Sequence, residues 1–382
     1  LAQRKQDLEK RLERKQFAEH ANPLLRAQNI HYEMAERVRA IDCGGIGAFH
    51  LLACRSGLVD AINKNVQLLK RHLPYHESDH VLNIAYSTLT GGTCLDDIEL
   101  RRNDETFMDG LGVERIPDPT TAGDFTRRFG EEDVVELMEA INSIRPKLWR
   151  KRLPQSERKQ ALIDVDGTHS PTCGECKEGI GLSYDGKWGY HPLLISLANT
   201  MEPLYLINRS GNCVSHDGAV AWIDRAIGLA RQSFEKVCLR GDTDFSLTKE
   251  FDRWTVEGVG FAFGMDAMPN LVDLADGLED KRWHVLRRHE KEPLSGKRRK
   301  RPRNFKKEIV VEKGYRNIRL LREHVAEFPY QPTKCKRSYR VIVLRKTLSV
   351  EAGQIRLWDD VRYFFYITNR TDRSASEVVW FC

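Results

Sequence analysis

Leu162-Ile-Asp-Val-Asp-Gly-Thr168 begins as a β-strand and ends in acid. Residues 161–165 carry the apolar pattern of a strand. Asp164 and Asp166 lie two apart on it, so both side chains point to one face. Neighbouring carboxylates repel, and burial makes the repulsion worse. A hard divalent cation such as Mg2+ relieves both costs. Gly167 and Thr168 let the chain turn at the strand's C-terminal end, where α/β folds often place sites. The plainer alternative is an exposed strand end with two solvated acids.

Downstream, short β-type runs alternate with helical ones. Tyr190–Ser196, Pro203–Asn208, Lys236–Leu239 and Val259–Phe263 read as strands, and Gly218–Ser233 and Leu247–Glu257 as helices. Strands followed by helices of this length imply an α/β layer fold. In Cys238-Leu-Arg-Gly-Asp-Thr-Asp-Phe245, Asp242 and Asp244 directly follow a short buried strand. Either could simply cap a helix beginning near Ser246. Two acid clusters, each ending a strand of one α/β domain, can also converge on one metal site.

Upstream, residues 30–145 place apolar residues at three- and four-residue steps, as in IGAFHLLACRSGLVDAINKN. They read as helices. Breaks fall at Cys43-Gly44-Gly45 and Ile116-Pro117-Asp118-Pro119. The segment Leu148 to Gln160, LWRKRLPQSERKQ, reads as a basic linker. Residues 1–20 are nearly all charged or polar and read as a basic arm. The chain's 382 residues suit two or three domains at roughly 100–200 residues each. The nine cysteines have no framework spacing, which points to reduced thiols. Cys173-Gly-Glu-Cys176 with His169 upstream lacks the second ligand pair that a structural zinc site needs. No stretch approaches the ~18 apolar residues of a membrane helix.

Net charge is only +6, so the distribution of charge matters more than its sum. Lys281 to Arg345 is crowded with Lys and Arg, densest in Lys297-Arg-Arg-Lys-Arg-Pro-Arg303 and then Lys306 and Lys307. Such a run is usually a solvated loop. Arg is also the better phosphate partner, which makes Arg298, Arg299, Arg301, Arg303, Lys306 and Lys307 candidate DNA contacts. Strands are expected near Lys307–Lys313 and Ser338–Arg345. Tyr363–Thr368 is a strongly apolar strand. Ser374-Ala-Ser-Glu377 fits a capping box that opens a last helix.

Five blocks, LIDVDGT, GYHPLLISLAN, INRSGN, VCLRGDTDF and YFFYITN, resemble in order the core blocks of bacterial insertion-sequence transposases. The branch is DDE transposase group 1, the IS-thirteen-eighty family. Gly91-Gly92 and LRRNDETFMDGLGVERIPDPTTAGDFTRRF resemble its helical N-terminal region. The resemblance implies an α/β fold with an RNase H-like catalytic core, a helical N-terminal domain and a β-rich basic insertion. It divides the chain into an arm (1–20), a helical DNA-binding domain (21–150), the first part of the core (161–280), the insertion (281–345), and the last strand with the start of the C-terminal helix (346–382). It further implies two Asp and one Glu holding two Mg2+ or Mn2+ ions. Asp166 matches the first acid, with Asp164 a competitor on the same strand face. Asp242 matches the second. Asp244 occupies a position that is usually small. Glu377 lies in the first turn of its helix, where it suits capping better than catalysis, so the third acid is expected beyond Cys382 and the chain is read as truncated before it.

The activity implied is DNA strand cleavage and strand transfer at inverted-repeat ends. The partners implied are end and target DNA and a second protomer, in the bacterial cytoplasm at the nucleoid and with no membrane. The rivals are a catalytically incomplete, transposase-derived DNA-binding protein and an RNase H-like metal-dependent nuclease without strand transfer.

Overall fold

The computed structural model describes residues 43–70, 72, 74–174, 177–287, 313, 316–352 and 355–382. The arm, residues 21–42, Cys176, the strand expected at Lys307–Lys313 and all six candidate basic DNA contacts lie outside them.

Among the described residues seven α-helices come first: α1 Ile46–Ser56, α2 Leu58–Asn65, α3 Glu77–Leu89, α4 Ile98–Arg102, α5 Glu105–Leu111, α6 Pro119–Thr126 and α7 Glu131–Arg152. Their ends follow local chemistry. Gly57, at φ 83°, closes α1 in the left-handed region that favours glycine. Asp118 accepts the Thr121 N–H at 2.8 Å, and Pro119 occupies the first helical position of α6. Ile46, Leu82, Tyr86, Ile98, Phe107 and Ala122 form a separate apolar cluster among these helices.

Helix α7 differs from the sequence reading, because the basic stretch expected to be linker from Leu148 is its last turn. Acids Glu131, Glu132 and Asp133 sit at its start and Arg150, Lys151 and Arg152 at its end, the order a helix dipole favours. Trp149 is buried against the main core, which anchors that turn. Irregular chain is left only from Leu153 to Lys159.

The strands are β1 Gln160–Gly167, β2 Ser170–Pro171, β3 Gly181–Leu182, β4 Trp188–Tyr190, β5 Leu193–Leu197, β6 Glu202–Ile207, β7 Lys236–Gly241, β8 Val259–Met265, β9 His284–Val285, β10 Arg316–Tyr330, β11 Tyr339–Ala352 and β12 Ile355–Thr368. Nine of them form one sheet in the order β6-β5-β1-β7-β8-β12-β11-β10-β9. Strands β1, β7 and β8 run parallel, and the other pairings are antiparallel. The later α-helices among the described residues are α8 Ala219–Arg231, α9 Phe251–Val256, α10 Pro269–Asp276 and α11 Ala375–Phe381.

Alternation on β1 decides which face is which. Ala161, Ile163 and Val165 are buried in the main core with Ile223, Ala226 and Ala230 of α8. Asp164 and Asp166 therefore face the other way. On that second face Val378 and Val379 of α11 pack against Ala262, Ile342 and Leu344.

The basic region is expected to project from the core as an insertion, and its described strands are continuous with the main sheet. β10 and β11 belong to the main sheet, joined to it through β12, which pairs with β8 only from Phe365 to Thr368. Each of these strands is 14 or 15 residues long, about 45–50 Å at ~3.3 Å per residue. Their far halves thus extend past β8 as a three-stranded ribbon. Composition flagged a change of surface here but carried no signal of which strand would hydrogen-bond to which.

A small sheet, β2-β4-β3, follows the end of β1. It is seated by glycines. A Cβ on Gly211 would lie 2.4 Å from the Gly181 carbonyl oxygen and 2.6 Å from that of Gly189. Glycine there lets the Ser210–Asn212 loop approach backbone to backbone.

Candidate active site

The register brings the two acid clusters together. Val165 pairs with Gly241 across β1 and β7, and Gly241 pairs with Phe263 across β7 and β8. One residue further on, Asp166 and Asp242 stand at the ends of adjacent parallel strands, with Gly264 next in line. Asp164, Asp166, Arg240, Asp242, Asp266 and Cys382 line one open cleft of about 720 Å³, with Tyr363–Tyr366 of β12 forming one wall.

Each acid has a different environment. Asp164 is locked: Arg240 Nε and Nη2 each donate to one of its oxygens at 2.7 Å. Such a bidentate fork is among the stronger charge-assisted pairs. Arg240 Nη1 donates in turn to the Phe381 carbonyl oxygen at 2.7 Å, tying the end of α11 to β7. Asp244 turns away from the cleft and accepts the Ser215 hydroxyl at 2.6 Å. Asp166 is exposed.

Asp242 both lines the cleft and accepts the Asp244 N–H at 3.0 Å, capping a short 3-10 turn at Thr243–Phe245. The capping and metal-binding readings of this residue are therefore compatible. Burial, followed by the negative charges of Asp244 and Asp166, pushes its carboxyl above the usual carboxylate pKa. Desolvation is the larger cause and the neighbouring carboxylates add to it, and carboxylate oxygens are the donors that a hard divalent cation takes. The residues present fit such an ion.

Glycines make the close approach possible. A Cβ on Gly264 would meet Thr243 N at 3.0 Å and Asp242 C at 3.2 Å. One on Gly241 would meet Val165 O at 3.2 Å. One on Gly167 would lie 2.9 Å from Nε2 of His191, whose Nδ1 pairs with the Cys213 carbonyl at 2.9 Å.

Asp266 is the cleft residue that sequence reasoning missed. The signal was present: Val259–Met265 is an apolar strand followed at once by Asp, the pattern already noted at Asp166 and Asp242. Its carboxylate has no hydrogen bond or ion pair among the described residues. Glu377 lies elsewhere, accepting the Ser374 N–H at 2.7 Å in the reciprocal cap of α11. Cys173 and His169 take part in no potential metal cluster among the described residues.

Residues 42–382 match the family model for the transposase DDE domain, group 1. The chain belongs to that family. Among solved structures, one similar chain is that of "Cryo-EM structure of piggyBac transposase synaptic complex with hairpin DNA". It is 9% identical with a TM-score of 0.36, and the match covers 87% of this chain and 64% of that one. This chain thus spans less than two thirds of that structure's length. No curated protein matches. No helix among the described residues is long and apolar enough to cross a membrane.

Proposed function

We propose that this chain is a metal-dependent transposase that cleaves DNA at insertion-sequence inverted repeats and transfers the cut strand to target DNA. The order β6-β5-β1-β7-β8, with an antiparallel first half and β1, β7 and β8 parallel, supports an RNase H-like core. The observation that carries the reading is Asp166 and Asp242 ending adjacent parallel strands in one cleft.

Asp166 and Asp242 hold Mg2+ or Mn2+, two ions in the complete site. Bound metal would activate the attacking oxygen and stabilise the leaving one. Asp166 is the first acid rather than Asp164, because both oxygens of Asp164 are engaged by Arg240. Arg298, Arg299, Arg301, Arg303, Lys306 and Lys307 contact phosphates. The partners are end and target DNA and a second protomer. The setting is the bacterial cytoplasm, and the branch is the IS-thirteen-eighty family.

The third carboxylate has two candidate sources. One is a glutamate on the helix after β12, as the resemblance implies, since α11 reaches the cleft. Asp266 already lines the cleft, which favours it as a source within the chain. Nicking of inverted-repeat DNA with Mg2+ or Mn2+ tests the whole reading. Asp166→Asn and Asp242→Asn should each abolish nicking while DNA binding persists. Asp266→Asn should abolish it only if Asp266 is the third acid. Undiminished nicking by Asp166→Asn would overturn the assignment. Cleavage without strand transfer would favour a nuclease, and DNA binding without cleavage a catalytically incomplete relative.

A further inference from the structure

We propose that His72, His76 and Glu77 form a second divalent-metal site, selective for zinc-like ions, that pins the loop between α2 and α3. The ligand atoms of the three residues lie within 4.8 Å of one another. The His72 and His76 rings stack with centroids 4.3 Å apart at an interplanar angle of 14°. Glu77 supplies the fixed end. Its side chain is only 2% exposed, and Oε1 accepts the Leu68 N–H at 3.2 Å and the Leu69 N–H at 3.0 Å. That leaves Oε2, which faces His72 Nε2 at 3.0 Å.

The donor set decides the metal. Two imidazoles and one carboxylate suit Zn2+ and its first-row neighbours, whereas Mg2+ and Ca2+ prefer oxygen throughout. Three protein ligands leave the fourth tetrahedral position open to water. Donors around such an ion stand about 3.3 Å apart, given Zn–N near 2.0–2.1 Å. On binding, the ligand atoms must draw together from within 4.8 Å, and the stacked imidazoles must turn so that their in-plane lone pairs converge on one ion. The moving parts can do so, since His76 is exposed and His72 is 44% exposed. Glu77 stays put, held by backbone donors, as orienting hydrogen bonds hold ligands in metal sites generally.

The site connects two helices. Ser78 N–H donates to the Asn63 side chain of α2 at 2.9 Å, so the start of α3 already touches α2. A metal at Glu77 and His72 would add a clasp from the loop itself. In the first turn of α3 the Asp79 carboxylate accepts the His76 backbone N–H at 2.8 Å, which fixes the backbone at His76.

The test is Co2+ titration of the full chain in excess Mg2+, which keeps the acid cleft occupied. One Co2+ should bind with the visible absorption of a tetrahedral site, without a thiolate charge-transfer band, and one Zn2+ should displace it. Tm should rise with Zn2+. His72→Ala and His76→Ala should each weaken binding by roughly tenfold or more. Glu77→Gln keeps the backbone acceptor while removing the charge and should weaken binding too. Asp166→Asn should leave it unchanged. Absence of Co2+ binding, a thiolate band, or unchanged affinity in the two histidine variants would overturn the proposal and reduce the cluster to a His72–Glu77 ion pair.

Discussion

Asp164 and Asp166 share one face of one strand and one residue type, yet their partners separate them. Removing the Asp164 charge leaves Arg240 with an unmatched fork. Asp164→Asn should lower stability by about 1–2 kcal/mol, a modest cost because both side chains remain about a third exposed and screened. Asp166 has no such partner, so Asp166→Asn should leave the Tm nearly unchanged while abolishing nicking. Thermal melts and nicking assays on the pair check this, and a reversed pattern would exchange their roles. Asp242 behaves differently again. A carboxyl whose pKa is raised on folding binds its proton more tightly when folded. Its stabilising contribution is full below the unfolded value and is lost as pH rises through the folded pKa. At neutral pH the ionised group therefore weighs against the fold. Asp242→Asn keeps the oxygen that caps the turn, so it should raise the Tm of the metal-free protein at pH 7 while abolishing cleavage. The gain should vanish below the ordinary carboxylate range, which melts between pH 3 and 7 would reveal.

At the scale of elements, spacing made some features readable. The two strand-then-acid patterns were legible because period-2 burial and a terminal carboxylate are both local. The Ser374 cap was legible for the same reason: its partner Glu377 is three residues away. Ser374→Ala should cost about 1 kcal/mol, and Glu377→Gln should leave nicking intact, since that side chain serves the cap. Loss of nicking in Glu377→Gln at unchanged stability would place Glu377 in the chemistry. The closeness of β7 and β8 was not legible, because nothing local says which backbone will face Gly264. Gly264→Ala puts a methyl against Thr243 and the Asp242 backbone, and overpacking of that kind costs about 1–3 kcal/mol. Its nicking rate should fall even at temperatures where the variant is folded. The block YFFYITN likewise hid a tertiary reason. The Asn369 side chain accepts the Phe261 N–H at 2.9 Å and donates to the Val259 carbonyl at 2.9 Å, fastening β12 to β8.

Across the whole molecule, the linker reading started too early, because the helix Glu131–Arg152 continues through Leu148. Leu148–Arg152 looked like linker because its charges dominate composition, while the burial of Trp149 decides its structure. Residues 281–345 read as a basic β-rich insertion because their composition changes, whereas the pairing of β10 and β11 with β12 of the main sheet rests on contacts far apart in sequence. Charge is the property best tested at this scale. Changing Arg298, Arg299, Arg301 and Arg303 together to Ala should weaken DNA binding across sequences and flatten its salt dependence. Stability should hardly move. Unchanged affinity with a large loss of Tm would make the run structural instead.

Strand β12 has a mechanical consequence. It runs unbroken from Ile355 at the far end of the ribbon to Phe365, where it forms a wall of the acid cleft and then pairs with β8. Along that length it is hydrogen-bonded to β11, which is hydrogen-bonded to β10. The ladders are continuous apart from register shifts at Leu320/Arg322 and Val350/Glu351, so a load on the outer end is carried along the same strand that bears Tyr363–Tyr366. The ribbon is a lever with the acid cleft close to its pivot.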